Sequence, residues 1–371
     1  MKEPFVQFRN ASIKFGYKQI LRKIYFLFDP EVIHDRMVDA GIILGKFSIT
    51  KGLTSIFFNY KNKKLKQNIL GLNFSNPVGL GAGFDKDAHL LDILPEVGFG
   101  FVEIGSITGE ACDGNPKPRL WRLKKEKSLR VNYGLKSEGC EKVARRFRSK
   151  RSKVPVAVSI ARTNNKDTIE LSKGIEDYFK SYRCFRKYGD LLIINISCPN
   201  AYGGGTFGEP DKLNQLLQRL KEAKVSKPVF LKLSPDLDKK NIDFIIEIAK
   251  EYGVDGFVCT NLAKKVDIDL PGKGGVSGKL LGQKAHDMVK YVYYKTKGEF
   301  VIIGCGGISS AEDAYGMIKS GASLVQLITG MIYEGPQVVS EINQGLIELL
   351  EKDGFNSVSE AVGVDNNFYK E

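Results

Sequence analysis

Histidine is scarce in this chain. Only His34, His89 and His286 occur in 371 residues, and none is spaced to share a metal with another. That argues against a histidine-held metal centre and against a histidine base. The six cysteines (Cys112, Cys140, Cys184, Cys198, Cys259, Cys305) form no C-x-x-C pair and no even spacing. Neither a disulfide framework nor a zinc or iron–sulfur site is indicated, and a reducing cytoplasm is the simplest home. No apolar run reaches the roughly 18 residues of a membrane span, and no signal-peptide cleavage pattern is present. The chemistry must use other residues.

What is present is a basic, soluble type of chain with 42% hydrophobic residues and a net charge of +13. Residues 1–66 carry 13 Lys/Arg against 5 Asp/Glu, and residues 115–153 carry 15 against 3, so the remaining chain is acidic. Two basic stretches on such a body can face anionic lipid headgroups or nucleic acid, or reflect lysine-rich composition alone.

Short Val/Ile/Leu-rich runs recur from residue 77 onward: 78–80, 101–107, 154–160, 191–196, 229–233, 256–260, 300–304 and 324–328. They do not alternate with polar residues, so they read as strands buried on both faces. Eight of them separated by helix-length segments predict an α/β fold, a (β/α)₈ TIM barrel, over 67–355. Ser309-Ser310-Ala311-Glu312 fits a capping box for the helix after the seventh strand. Residues 1–66 lie outside this rhythm and predict an N-terminal helical hairpin. One segment ends at Phe28, and the other is opened by Asp29-Pro30-Glu31, an N-cap followed by proline. Its apolar stripe (Ile20, Leu21, Ile24, Phe28, Val32, Ile33, Met37, Ile42, Ile43) packs on the barrel in one reading and lies on a lipid surface in the other. Residues 356–371 read as a frayed tail.

Barrels of this kind carry their sites on the loops after the strands. The run Asn195-Ile196-Ser197-Cys198-Pro199-Asn200 leaves an apolar strand and enters a glycine-rich loop, Gly203 to Gly208. A thiol fixed there between two asparagines suits general-base chemistry on a flat polar ring. Cys259 and Cys305, among strand residues, read as packing. Gly304-Cys305-Gly306-Gly307 after the seventh strand and Thr329-Gly330 after the eighth suit a phosphate, and Gly274-Gly275-Val276-Ser277-Gly278 strengthens this toward a phosphorylated ligand or flavin mononucleotide. Lys232 sits inside the apolar run Val229–Leu233, where a charge is costly unless it meets an anion. Facing the N1/O2 edge of a flavin, it would stabilise the negative charge of the reduced ring. Lys86, after the first strand, is a candidate for holding a carboxylate.

The motifs N-P-V-G-L-G-A-G-F-D-K-D (76–87), F-V-E-I-G-S-I-T (101–108), G-N-P-K-P-R-L (114–120), N-I-S-C-P-N (195–200), L-K-L-S-P-D-L (231–237), G-G-V-S-G (274–278), G-C-G-G-I (304–308) and G-A-S-L-V-Q-L-I-T-G (321–330) resemble dihydroorotate dehydrogenase, in register over about residues 70–340. Leu27-Phe28-Asp29-Pro30-Glu31 resembles the extension of the membrane-associated, quinone-using class 2, in which a helical hairpin forms a quinone tunnel. The resemblance implies FMN as cofactor and Cys198 as the base that removes the C5 proton of dihydroorotate while the C6 hydride passes to the flavin. It implies Lys86, Asn132, Asn195, Asn200 and Asn261 as substrate contacts. It implies Ala82, Gly83, Lys86, Ser106, Ser159 and Asn195 around the flavin, together with Lys232, Thr260, Ser277, Gly278, Gly306, Gly307, Thr329 and Gly330.

The chain departs from the family at Val131, Ser159, Ala201 and Ile328. Cys198 and its glycine loop resemble the soluble class 1, whereas class 2 carries a serine base. The expectation is therefore oxidation of dihydroorotate to orotate in pyrimidine biosynthesis, with quinone as acceptor, by a cytoplasmic enzyme peripheral to the inner face of the cell membrane through residues 1–66. Alternatives keep the flavin barrel. They use fumarate or an FAD/iron–sulfur partner as acceptor, or act on another reduced pyrimidine or on uridine in RNA. No aromatic interleaving supports an RNA surface, and no nucleic-acid partner is expected.

Overall fold

In a computed structural model of the chain, residues 3–150, 152–198, 207–266 and 268–366 are described. The N-terminal extension holds four helices: α1 (Glu3–Gly16), α2 (Arg22–Tyr25), α3 (Pro30–Lys46) and α4 (Ser48–Phe58), with a π-helical turn (Tyr17–Leu21) joining the first two. The expected second segment is thus two helices, bent by 115° at Phe47. A short antiparallel pair, β1 (Gln67–Ile69) and β2 (Leu72–Phe74), leads into the barrel.

Chain order then runs β3 (Val78–Leu80), β4 (Phe101–Ile107), β5 (Leu120–Leu123), β6 (Ser128–Val131), α5 (Cys140–Arg148), β7 (Val156–Ile160), α6 (Leu171–Cys184) and β8 (Leu191–Asn195). It continues through α7 (Pro210–Lys221), β9 (Val229–Lys232), α8 (Lys239–Tyr252), β10 (Gly256–Cys259), β11 (Gly275–Gly278), α9 (Gly282–Thr296), β12 (Val301–Cys305) and α10 (Ala311–Lys319). It ends in β13 (Leu324–Leu327), α11 (Thr329–Glu334), α12 (Val338–Lys352) and α13 (Val358–Ala361).

Strands β3, β4, β7, β8, β9, β10, β12 and β13 close into a parallel barrel in that order, at the eight runs read from the sequence. Strands β5, β6 and β11, from the loops after β4 and β10, form a separate antiparallel sheet.

The barrel interior explains where the site lies. Phe101, Ala157, Ile193, Phe230, Val258, Ile303 and Leu324 form an apolar interior layer, closed by Phe74 from β2. Alternate residues of a strand share a face. Two residues further along the same strands stand Glu103, Ser159, Asn195, Lys232, Thr260, Cys305 and Gln326, so the interior turns polar at the C-terminal mouth.

Two local expectations change. The cap of α10 lies one residue later than the capping box suggested: Ser310 Oγ accepts from the Asp313 amide, and Asp313 accepts from the Ser309 amide and hydroxyl. The supposed tail is packed as far as it is described. Val358 and Ala361 are fully buried, and Asn366 Nδ2 donates to the Ser320 carbonyl.

The extension is fastened by buried polar groups as well as by a few apolar residues, Val6, Val38 and Ile42, packed on the core. Arg9 reaches the carbonyls of Ile56 and Asn59 and the Ser340 hydroxyl. At α3, Asp29 accepts from the Glu31 and Val32 amides, a cap that leaves Glu31 pointing at the barrel. Arg119 donates to both Glu31 oxygens at 2.8–3.2 Å and to the carbonyls of Asp113 and Asn115. Both side chains are about 5% exposed or less. Burial would raise the Glu31 pKa, but Arg119 and Lys117 outweigh it and hold the carboxyl below its ordinary value.

Its contribution is therefore present above the unfolded carboxyl pKa and is lost as pH falls through the lower folded value. Glu31→Ala, which strands Arg119 without its anion, is expected to cost about 3 kcal/mol. The check is thermal melting together with limited proteolysis: the extension of the variant, and of the parent protein on acidification, should be cut before the barrel.

Candidate active site

One cavity of about 540 Å³ opens at the C-terminal mouth of the barrel and runs out beneath the extension. Its inner wall carries Cys198 at the end of β8, with Asn195, Asn261, Lys232 and Thr260 from β8–β10 and the loops beyond them. The loops after β3 and β4 add Ala82, Gly83, Lys86 and Ser106. Ser277 and Gly278, Gly306 and Gly307, and Thr329 and Gly330 close the opposite side.

Two expected site residues stand apart from this wall. Asn132 does not line it: its carbonyl and Oδ1 accept from Asn115 Nδ2, and Val131 faces the cavity instead. Ser159 is fully buried behind the wall, its short side chain spent on a 2.8 Å hydrogen bond with Ser106. Asn200 lies outside the described residues, as does Ala201. Cys305 corrects the packing assignment, because it lines the cavity, while Cys259 is sealed in the core. Ile328 is on the wall.

A chain of hydrogen bonds orients the two asparagines. Asn195 Nδ2 donates to Ser106 Oγ at 2.8 Å, which fixes Oδ1 toward Asn261. Asn261 Nδ2 donates to Asn195 Oδ1 (3.0 Å) and to Ser197 Oγ (3.1 Å), and its own Oδ1 accepts from the Leu262 amide. Ser197 completes the chain by donating to the Lys232 carbonyl at 2.7 Å. Both amide hydrogens of Asn261 are thereby used, so it can offer a ligand only acceptor capacity, while Asn195 keeps one N–H to give.

Charge is concentrated at two points. Lys232 Nζ lies 3.1 Å from both oxygens of Glu103, which is fully buried. Burial alone would lower the lysine pKa, but Glu103 outweighs it and the pKa is raised. Lys86 differs: it has no carboxylate partner among the described residues and sits 4.0 Å over the Tyr133 ring. Burial, with Lys136 nearby, lowers its pKa to about 8. An ammonium so placed is suited to a carboxylate ligand.

The outer cavity, from Tyr25 through Met37 and Leu44 to Phe58, is largely apolar. Two polar residues not foreseen from sequence stand in its wall. His34 bonds the Phe84 carbonyl through Nε2 (2.8 Å), and Arg122 bonds the Phe28 carbonyl (2.7 Å) over the Phe26 ring. Nothing in their local sequence marks them, because the extension meets the β5–β6 sheet only in the fold. Glu103 had a legible signal, a carboxylate inside the run Phe101–Ile107.

Fold and site together define a (β/α)₈-barrel oxidoreductase with a ring-sized cavity and an attached apolar channel. A family model described as dihydroorotate dehydrogenase matches residues 64–350, and the chain belongs to the dihydroorotate dehydrogenase family, a family of flavoproteins. Among curated relatives, the dihydroorotate dehydrogenase (quinone) of Trichodesmium erythraeum is 36% identical over 377 residues, covering 94% of this chain and 99% of that one. That of Crocosphaera subtropica is 39% identical over 324 residues, covering 84% and 86%. A crystal structure of the Eimeria tenella enzyme with ferulenol superposes with a TM-score of 0.80 at 29% identity, over 91% of this chain and 96% of that one.

Removing the Ser197 hydroxyl frees an Asn261 amide hydrogen and allows that side chain to turn over. Ser197→Ala is expected to weaken orotate binding about tenfold, the order of one hydrogen bond lost. Bound flavin should be retained, and Ser197→Thr should restore binding. Titration of the flavin absorbance with orotate is the check.

Proposed function

We propose that the chain oxidises dihydroorotate to orotate with bound FMN and passes the electrons to a quinone that enters beneath the extension. The observation that carries this reading is the single cavity joining Cys198, Lys86 and Lys232 to the apolar channel under α3 and α4. FMN fits the residues present. Glycines at 278, 306 and 307 let the turns of that wall pack closely on the elements behind them: a Cβ at Gly307 would fall 2.3 Å from Gly282 Cα. Gln326, on the cavity floor, has neither amide atom hydrogen-bonded among the described residues, which suits a polar ring seated there.

In this reading FMN, when bound, accepts the hydride that leaves C6. Cys198 takes the C5 proton on its sulfur. Asn195 donates to a ring carbonyl, Asn261 accepts from a ring N–H, and Lys86 holds the carboxylate. Ser106, Thr260, Ser277, Thr329 and the glycine backbones would hold the flavin, and Lys232 would supply a cation to its site. The thiol has a lower intrinsic pKa than a serine hydroxyl and needs less help to act as base. In the outer channel His34 and Arg122 are the polar groups that a quinone carbonyl would meet.

The apolar surface of the extension supports a lipid-facing role. Leu27 is 81% exposed, Ile49 78% and Phe8 73%, with Phe47, Leu53, Ile56 and Phe57 also exposed around the α3–α4 corner. Monomeric soluble proteins rarely leave so many large apolar side chains together in water. Among the described residues no single helix is long and apolar enough to cross a membrane. The helices therefore suit a surface-lying role, with their apolar sides in lipid and the channel opening among them.

Two experiments test the reading. Anaerobic addition of dihydroorotate should bleach the flavin, and a short-chain quinone, rather than fumarate, should restore the colour. Cys198→Ala should keep FMN yet lose nearly all bleaching, and Cys198→Ser should work with its optimum moved to higher pH. Unchanged turnover in the alanine variant would refute the base. For the surface, Phe47→Glu with Ile49→Glu should abolish flotation with phosphatidylcholine–phosphatidylglycerol vesicles, while flavin bleaching by dihydroorotate persists.

A further inference from the structure

The polar layer at the barrel mouth contains an anion where the chemistry of a flavin asks only for a cation. Glu103 comes from β4 and Lys232 from β9, across the barrel interior, and the two meet with both carboxylate oxygens at 3.1 Å from Nζ. Their side chains are 0% and 6% exposed, so water does not screen the pair. Among the described residues neither has another ionic partner. In register beside Lys232 stand Asn195 and Val258, and beside Glu103 stands Ala157, none of them charged; Cys305 and Gln326, on the same layer, are uncharged side chains that line the cavity. The charge of Lys232 is therefore compensated within the protein before any ligand arrives.

We infer that Glu103 sets the redox poise of the bound flavin by cancelling the charge of Lys232. The inference rests on the proposal that FMN occupies this cavity with its ring near Lys232. A lone buried ammonium would hold the negative charge of the reduced ring tightly and make its electrons hard to pass on. The ion pair keeps Lys232 protonated and able to donate a hydrogen bond, yet presents a dipole instead of a full charge. Reduction by dihydroorotate and reoxidation by the quinone then both remain accessible. Glu103 is a positioning residue in this scheme, since it acts through Lys232 rather than on the ring.

Glu103→Gln keeps the shape of the side chain and removes the anion. Burial without a partner lowers the Lys232 pKa, so the variant titrates there where the parent protein does not. Below that new pKa an uncompensated cation faces the ring, and above it the site is neutral again. The midpoint potential of the bound flavin, measured anaerobically against reference dyes across pH, is expected to lie above that of the parent protein at low pH. The two curves should converge as pH rises. The low-pH difference should correspond to at least about tenfold tighter holding of reduced over oxidised flavin, about 30 mV for a two-electron couple. Coincident curves at every pH would overturn the inference.

A second pair of variants covers poor folding of the first. Lys232→Met leaves Glu103 uncompensated and should lower the potential. Glu103→Gln with Lys232→Met buries no unpaired charge and should return it toward the parent value. A double variant displaced as far as Lys232→Met alone would also overturn the inference. Purified parent protein that takes up no FMN would instead sink the proposed function itself, and this inference with it.

Discussion

The parallel register of the eight barrel strands is the constraint on which the rest of this structure depends. It aligns the strands so that one step of their period-two alternation carries every interior position across the same boundary. Phe101 gives way to Glu103, Ile193 to Asn195, Phe230 to Lys232 and Leu324 to Gln326. The lower layer supplies apolar burial, and the upper layer concentrates polar groups in a place poor in water. Such groups persist in a core only when they satisfy one another or await a ligand. The Glu103–Lys232 pair and the Ser159–Ser106–Asn195–Asn261–Ser197 chain do the first. Gln326 and Lys86 are left for the second.

The extension follows a different logic. Its attachment uses a few apolar residues, Val6, Val38 and Ile42, and a few buried polar contacts, Glu31 with Arg119 and Arg9 with Ser340. That frees most of its large apolar residues to form a surface and the walls of a channel. A helix that spent its apolar stripe on the barrel would close the cavity. The same side chains that make the extension costly in water thus keep the outer channel open and apolar.

Much of the architecture was legible in the linear chain. Runs buried on both faces announce parallel strands without any tertiary information, and all eight barrel strands lie within or beside the runs read for them. The Asp29 cap with Pro30 marked the start of α3 correctly. Most of the motif residues line one cavity, because glycine-rich turns after barrel strands have few places to go. Other residues are placed differently by the fold, for physical reasons. Asn132 looked like a substrate contact by type and position, but an antiparallel pairing of β6 with β11 aims Val131 inward. Ser159 is fully buried, with its hydroxyl hydrogen-bonded to Ser106. The stripe of the extension read equally well as barrel packing, since amphipathicity reveals that a face is apolar and not what covers it.

Local spacing and side-chain chemistry determined the barrel class, the position of the thiol, the glycine turns and the family. The partnership of charges was decided only by tertiary structure. Lys232 by itself reads as a cation waiting for an anion, and its anion stands 129 residues away on a strand across the barrel. His34 and Arg122 become wall residues only when the extension lies over the β5–β6 sheet. Propensity and alternation act over a few residues, whereas the meeting of side chains across a closed barrel depends on how the whole sheet curls and staggers. No short window of sequence contains that information.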